Sequence, residues 1–116
     1  VEIYTGIDII DVERFKDVLE RQGQRFLKRV YTERELDSIP RGKEALYLCF
    51  SFSFKEAAWK ALPVCMQKNC YFKNIEILWT GKGPEVLLKA GEKIKKITGF
   101  FEAGGKAVAL IILVME

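Results

Sequence analysis

Lys43-Glu44-Ala45-Leu46-Tyr47-Leu48-Cys49-Phe50-Ser51-Phe52-Ser53-Phe54-Lys55-Glu56-Ala57-Ala58-Trp59-Lys60-Ala61-Leu62 is the stretch whose reading decides the fold. It predicts one long helix from Lys43 to Leu62, stopped by Pro63, because proline lacks the amide the next turn needs. Ala45, Leu48, Cys49, Phe52, Trp59 and Leu62 supply its apolar surface, which covers much of the circumference. A helix of that kind belongs inside a domain, with other elements packed around it.

Upstream, Glu2 to Ile10 is rich in β-branched and aromatic residues and predicts a strand. Asp11 offers a helix cap, and Val12, Phe15, Val18 and Leu19 share one helical face. A short basic helix follows around Phe26, Leu27 and Val30. Thr32-Glu33-Arg34-Glu35 has the form of a capping box, opening a helix that ends near Pro40. Downstream, Phe72 to Trp79 predicts a strand, Gly81 to Pro84 a turn, and Glu85 to Leu88 a short returning strand. Ala90 to Ile97 predicts a helix, Gly104-Gly105 a turn, and Lys106 to Met115 a buried closing strand. Helices in the first half and strands in the second give an α+β domain, with helices packed on one face of a small antiparallel sheet. The 116 residues suffice for a single domain, 1–116, with one core.

Composition excludes several chemistries. There is no histidine, which removes histidine bases, Ser-His-Asp hydrolases and His-ligated zinc. Cys49, Cys65 and Cys70 form no CxxC pair, so neither a zinc knuckle nor a disulfide framework is expected; they read as core or loop filler. No segment is long and apolar enough to span a bilayer, and the first residues lack a secretory signature, so a cytoplasmic location is expected. Between Arg21 and Arg34 the bases Arg21, Arg25, Lys28, Arg29 and Arg34 face one acid, Glu33. Such a patch is either a solvated helix face or a surface for an acidic partner. Nucleic acid is the poorer partner, because the patch has no interleaved aromatics.

Two places could carry chemistry. Asp8 lies in Ile7-Asp8-Ile9-Ile10, near the end of an apolar strand, where a carboxylate must be hydrated, capping, paired or bound to a cation. Glu56 and Lys60 are four apart on the long helix; alone, that spacing most simply gives a surface ion pair. Set among Phe50, Phe52, Phe54 and Trp59, they are less readily dismissed. Two carboxylates, a lysine and no histidine suit Mg2+ handling phosphates, since that ion takes one or two carboxylates and fills its octahedron with water and phosphate oxygens.

The order of these motifs resembles the holo-acyl-carrier-protein synthases, the short single-domain branch of the 4′-phosphopantetheinyl transferases. Gly6-Ile7-Asp8-Ile9-Ile10-Asp11-Val12-Glu13-Arg14 is similar to the family's G-x-D-x-x-x-x-x-R opening. Arg25 to Glu35 resembles R-F-L-x-R-x-x-T-x-x-E, and Phe52 to Leu62 resembles F-x-x-K-E-A-x-x-K-A-L. Phe72 to Ile77 followed by Gly81 to Pro84 resembles the later strand and its G-x-P turn. The longer branch carries a further acid two residues after the motif aspartate, where this chain has Ile10.

The resemblance implies a 4′-phosphopantetheinyl transferase-like fold and transfer of the 4′-phosphopantetheine arm of coenzyme A to a serine of an acyl carrier protein, releasing adenosine 3′,5′-bisphosphate. It implies Asp8 and Glu56 as Mg2+ ligands, Lys60 beside the transferred phosphate, and Glu56 removing the serine proton directly or through a metal-bound water. It implies Arg14, Arg21, Arg25 and Lys28 as docking residues for the acidic carrier. It further implies Lys60, Gly83 and Pro84 at the coenzyme A site, and a homotrimer with sites between subunits. Two departures bear on the nucleotide end. The family's arginine two residues beyond the position of Cys49 is Ser51 here, and its Ser-x-Ser-His segment is replaced by Gly99 to Gly105, where Phe101 is an apolar candidate for the core or for an adenine. The alternative reading is therefore a diverged, non-catalytic paralogue that binds an acidic protein.

Overall fold

The computed structural model describes residues 1–89 and 94–115. The chain runs β1 (Glu2–Asp11), α1 (Val12–Gln22), α2 (Gln24–Val30), α3 (Glu33–Ser38), α4 (Glu44–Ala61), α5 (Val64–Gln67), a 3-10 turn (Phe72–Asn74), β2 (Ile75–Thr80), β3 (Gly83–Leu88), β4 (Lys95–Ala103) and β5 (Lys106–Met115). The architecture is α+β. Its strands form two antiparallel sheets rather than one, a three-stranded sheet in the order β1-β5-β4 and a β2-β3 hairpin.

Helix α4 is the hub. Lys43 and Leu62 are its caps, and Phe54, Ala57, Ala58 and Ala61 are at most 2% exposed. They pack with Leu62, Ile75, Ile77, Val86, Ala109, Ile111 and Leu113, which joins both sheets to one side of the helix. A second cluster joins Leu48, Cys49 and Phe50 to Val12, Phe15, Phe26, Val30 and Tyr31 from the α1–α2 region. Burying a side chain such as Phe54 contributes about 2–3 kcal/mol each, so α4 owes its stability to packing on several sides.

Strand β1 alternates cleanly. Tyr4, Gly6, Asp8 and Ile10 face α4, whereas Ile3, Ile7 and Ile9 are more than half exposed on the opposite face. In register with them, Ala107, Ala109, Ile111 and Leu113 of β5 point inward and Leu110 outward. Gly6 is where the layers touch: a Cβ there would sit 1.9 Å from the carbonyl oxygen of Ala57. Only glycine permits that approach, and it sets the position of Asp8 two residues further on.

Asp11 ends β1 and caps α1, its Oδ1 accepting from the Arg14 amide at 3.1 Å and its Oδ2 from Lys106 Nζ at 2.7 Å. Gly23 (φ 53°) takes the left-handed turn from α1 to α2, with its amide bonded to Leu19 O. The Thr32 capping box is present: Thr32 Oγ1 accepts from the Glu35 amide at 3.2 Å and Glu35 Oε1 from the Thr32 amide at 3.1 Å.

The helix expected over Ala90 to Ile97 is a correction. Residues 90–93 lie outside the described set, and Lys95, Lys96 and Ile97 open β4, paired with Val114, Leu113 and Ile112 of β5. Thr98 and Phe100 turn inward while Ile97 and Phe101 turn outward, the period of a strand. Phe72 to Asn74 form a turn ahead of β2, and α5, starting after Pro63, is an element the sequence reading did not contain. No helix among the described residues is long and apolar enough to cross a membrane.

Candidate functional site

The inward face of β1 and one stripe of α4 bring Asp8, Ser53, Glu56 and Lys60 together. Positions 53, 56, 57 and 60 share a helical face, and Ala57 holds the Gly6 contact. Lys60 Nζ donates to Asp8 Oδ1 at 2.8 Å and reaches the Ile7 carbonyl at 3.4 Å. The ammonium is thus bonded across to the strand, not only placed beside Glu56 as an intrahelical partner. Ser53 Oγ lies 3.2 Å from both Asp8 Oδ2 and the Asp8 carbonyl. The Asp8 side chain is 13% exposed and that of Lys60 48%, so the pair reaches the surface on the lysine side.

Glu56 is partly buried. Burial first, and then the Asp8 carboxylate, push its pKa above the usual carboxylate range, against the pull of Lys60. A carboxylate whose charged form is disfavoured by burial and by a neighbouring carboxylate is relieved by a cation beside it, which is the donor chemistry of a hard divalent ion. Among the described residues no group of three or more carboxylate or thiol ligands exists. A resident ion would draw its remaining ligands from water and substrate oxygens. The pair suits magnesium better than zinc or calcium, which take fuller protein shells.

Lys55, the neighbour of Glu56, is a charged residue the sequence reading passed over. It is 1% exposed, and its Nζ donates to Glu35 Oε1 at 2.6 Å, to Phe72 O at 2.8 Å and to Ile75 O. Glu35 Oε2 accepts from the Ile77 amide at 3.1 Å. Three acceptors for the nitrogen and three donors for the carboxylate describe an ionised pair, although burial alone pushes Glu35 up and Lys55 down. The pair ties α3, α4 and β2 together. Beside it, a cavity of about 280 Å³ is lined by Lys55, Glu56, Trp59, Tyr71, Phe72 and Ile75 among others.

The docking candidates divide. Arg14 and Arg21 rim a groove of about 390 Å³ whose floor includes Phe15, Val18, Phe26 and Phe52, whereas Arg25 and Lys28 are exposed on α2. Gly83 and Pro84 start β3 and line a different groove with Lys82, Lys96 and Thr98. Within one chain that groove does not include Lys60. Ser51 is buried, and its Oγ accepts from the Trp79 indole at 2.8 Å. Phe100 packs edge-on against Phe50 (5.0 Å) and Trp79 (5.2 Å) yet is 38% exposed, and Phe101 lies outward and 58% exposed, so the core role offered to Phe101 is not what the structure shows. Cys49 is core filler as expected, Cys65 is exposed and Cys70 half-buried.

The model of the 4′-phosphopantetheinyl transferase superfamily matches residues 4–109, which sets the class. A holo-[acyl-carrier-protein] synthase of Carboxydothermus hydrogenoformans is 42% identical over 91% of this chain and 85% of its own length. That of Thermodesulfovibrio yellowstonii is 36% identical over 93% and 95%. Among solved structures, the Helicobacter pylori holo-[acyl-carrier-protein] synthase in complex with coenzyme A superposes with a TM-score of 0.78 at 25% identity, covering 95% of this chain and 99% of that one. The chain belongs to the holo-[acyl-carrier-protein] synthase family of phosphopantetheinyl transferases.

Proposed function

We propose that the chain transfers 4′-phosphopantetheine from coenzyme A to a serine of an apo acyl carrier protein, with Mg2+ held by Asp8 and Glu56, and releases adenosine 3′,5′-bisphosphate. The observation that carries this reading is the bond from Lys60 of α4 to Asp8 of β1 beside Glu56, whose carboxyl feels both groups. When bound, the metal supplies positive charge to the coenzyme A diphosphate, the main electrostatic need of the reaction. The serine Oγ–P bond forms as the bond from that phosphorus to the bridging oxygen breaks, and the electron pair leaves on the nucleotide. Glu56, its basicity raised by burial and by Asp8, accepts the serine proton. Lys60, half exposed and mobile enough to trade Asp8 for a phosphate oxygen, holds the transferred group.

The acidic carrier docks on Arg14, Arg21, Arg25 and Lys28, with the apolar floor of the α1–α2 groove taking its apolar side chains. Raised salt weakens such a contact. The outward face of the three-stranded sheet, with Ile3, Ile7, Ile9, Ile97, Phe101 and Leu110 exposed, supports a homotrimer, since a patch of that kind is rarely left to solvent. In such a trimer Lys60 and the Gly83–Pro84 groove, separate within one chain, act together when sites lie between subunits. The partners are coenzyme A and carrier protein, not nucleic acid or membrane, and the site of action is the cytoplasm.

The test is to incubate the chain with Mg2+, coenzyme A and an apo carrier protein and weigh the carrier. A gain of one phosphopantetheine, lost on chelation and in Asp8→Ala and Glu56→Ala, is expected. No gain with any carrier refutes the transferase. Ser51 and the Gly99–Gly105 segment, which lack the polar groups of the family pattern, favour one second reading, a non-catalytic paralogue binding an acidic protein. Carrier binding without transfer is its signature.

A further inference from the structure

We infer that Ser53 is a positioning residue for Asp8, acting through the carboxylate on the metal and phosphate site; this rests on the proposed reading of that site. A serine inside a helix usually turns its hydroxyl to solvent or to the carbonyl one turn back. Ser53 is fully buried, and its hydroxyl meets the strand instead, 3.2 Å from Asp8 Oδ2 and 3.2 Å from the Asp8 carbonyl.

The Gly6–Ala57 contact fixes the backbone of β1 against α4. What remains free at Asp8 is rotation of its side chain. Lys60 takes Oδ1 at 2.8 Å, but Lys60 is half exposed on a long flexible stem and is the group expected to change partners when phosphate arrives. Ser53 is the partner that does not leave. It holds Oδ2 inward and so keeps Oδ1 turned toward the Lys60 side, before and after the lysine moves. Groups that orient a ligating carboxylate typically matter by about 10–100-fold in metal affinity. At 3.2 Å this bond belongs to the lower end.

The experiment titrates Mn2+ into the full chain with saturating coenzyme A and follows the free-ion EPR signal, for wild type, Ser53→Ala, Asp8→Asn and the double variant. Alanine is smaller than serine and suits a helix, so the fold is retained, and a thermal melt on the same samples checks that. Ser53→Ala is expected to raise the Mn2+ dissociation constant about tenfold, with the melting temperature moved by no more than about 4 °C. In the Asp8→Asn background the same change adds nothing, because the hydroxyl acts through that carboxylate. The Mg2+ needed for half-maximal transfer rises in Ser53→Ala while kcat at saturating Mg2+ is kept. An unchanged Mn2+ affinity in Ser53→Ala overturns the inference, as does an equal loss in both backgrounds, which marks general packing. A wild type that takes up no Mn2+ removes the metal reading and this inference with it; wild-type uptake beside an unaltered Ser53→Ala removes this inference alone.

Discussion

Replacing Gly6 with alanine tests the contact on which the site is built. The added Cβ falls 1.9 Å from Ala57 O, 2.9 Å from Ala57 C and 3.1 Å from Ala61 N, all backbone atoms of α4. No rotamer change can relieve such a clash. Ordinary contact begins at 3.4 Å, so strand and helix must part by 3.4 − 1.9 = 1.5 Å at this point. Overpacking of this kind costs about 1–3 kcal/mol, and we expect the upper end, because β1 is tied along its length to β5 and cannot move alone. For a chain of this size that is a fall of roughly 10 °C in melting temperature. Asp8, on the same face two residues along, is carried away from Ser53 and Lys60, and a displacement near 1 Å costs about 100-fold in rate. Thermal melts by circular dichroism and kcat/KM from carrier mass gain, taken well below the melting range, measure both. Gly6→Ala with melting temperature within about 2 °C and kcat/KM within about threefold of wild type refutes the reasoning. Ala57→Gly does not rescue the variant, because the obstacle is a carbonyl oxygen rather than a side chain.

Lys55→Met leaves Glu35 buried without its cation and is expected to cost about 3–5 kcal/mol in urea unfolding at pH 8. Burial is the largest influence on Glu35 and raises its pKa, and in the variant the Lys55 ammonium no longer opposes it. The variant's penalty therefore shrinks as pH falls through the raised pKa and grows above it; a loss equal at pH 5 and pH 8 would sink this account. Burial, and then the Asp8 carboxylate, push the Cys49 thiol up to about 12. At pH 8 its thiolate fraction is on the order of one in ten thousand, so iodoacetamide modifies exposed Cys65 and spares Cys49 in the native protein. Peptide mass mapping reads this directly, and equal labelling of the two contradicts it.

The central helix was legible because Pro63 ends it and its apolar residues crowd every side. Strand β4 was not. Ile94 and Ile97 are three apart behind an Ala-Gly-Glu-Lys run, a helical spacing, and only pairing with β5 makes 95–103 a strand. Pairing partners are distant in sequence and leave little local mark, which is also why the division into two sheets went unread. Helix α5, Val64–Gln67, is too short to imprint a period at all.

At the site, Asp8 stood out as a carboxylate in an apolar strand, while Glu56 and Lys60 carried the common spacing of a surface pair. The ion pair that forms crosses from Lys60 of α4 to Asp8 of β1, a partner that spacing along the helix cannot announce. Lys55 and Ser53 gave no signal, since a lysine beside a glutamate and a serine between phenylalanines have many uses and only the third dimension assigns one.

The two departures from the family pattern meet at one side chain, Trp79. Ser51 Oγ receives the Trp79 indole hydrogen, and Trp79 in turn packs with Tyr47, Phe50, Phe54 and Phe100. A guanidinium at position 51 would be buried beside these rings and, having no acceptor, could not take the Trp79 indole hydrogen, so its burial there is costly. Phe100, contributed by the altered Gly99–Gly105 segment, closes the same cluster from β4. Serine at 51 and phenylalanine at 100 thus both contact Trp79, one through a hydrogen bond to its indole and one through its ring. Under the proposed reading, nucleotide recognition falls to groups still at the surface, and the groove beside Gly83 and Pro84 offers Thr80, Lys82, Glu85, Lys96 and Thr98.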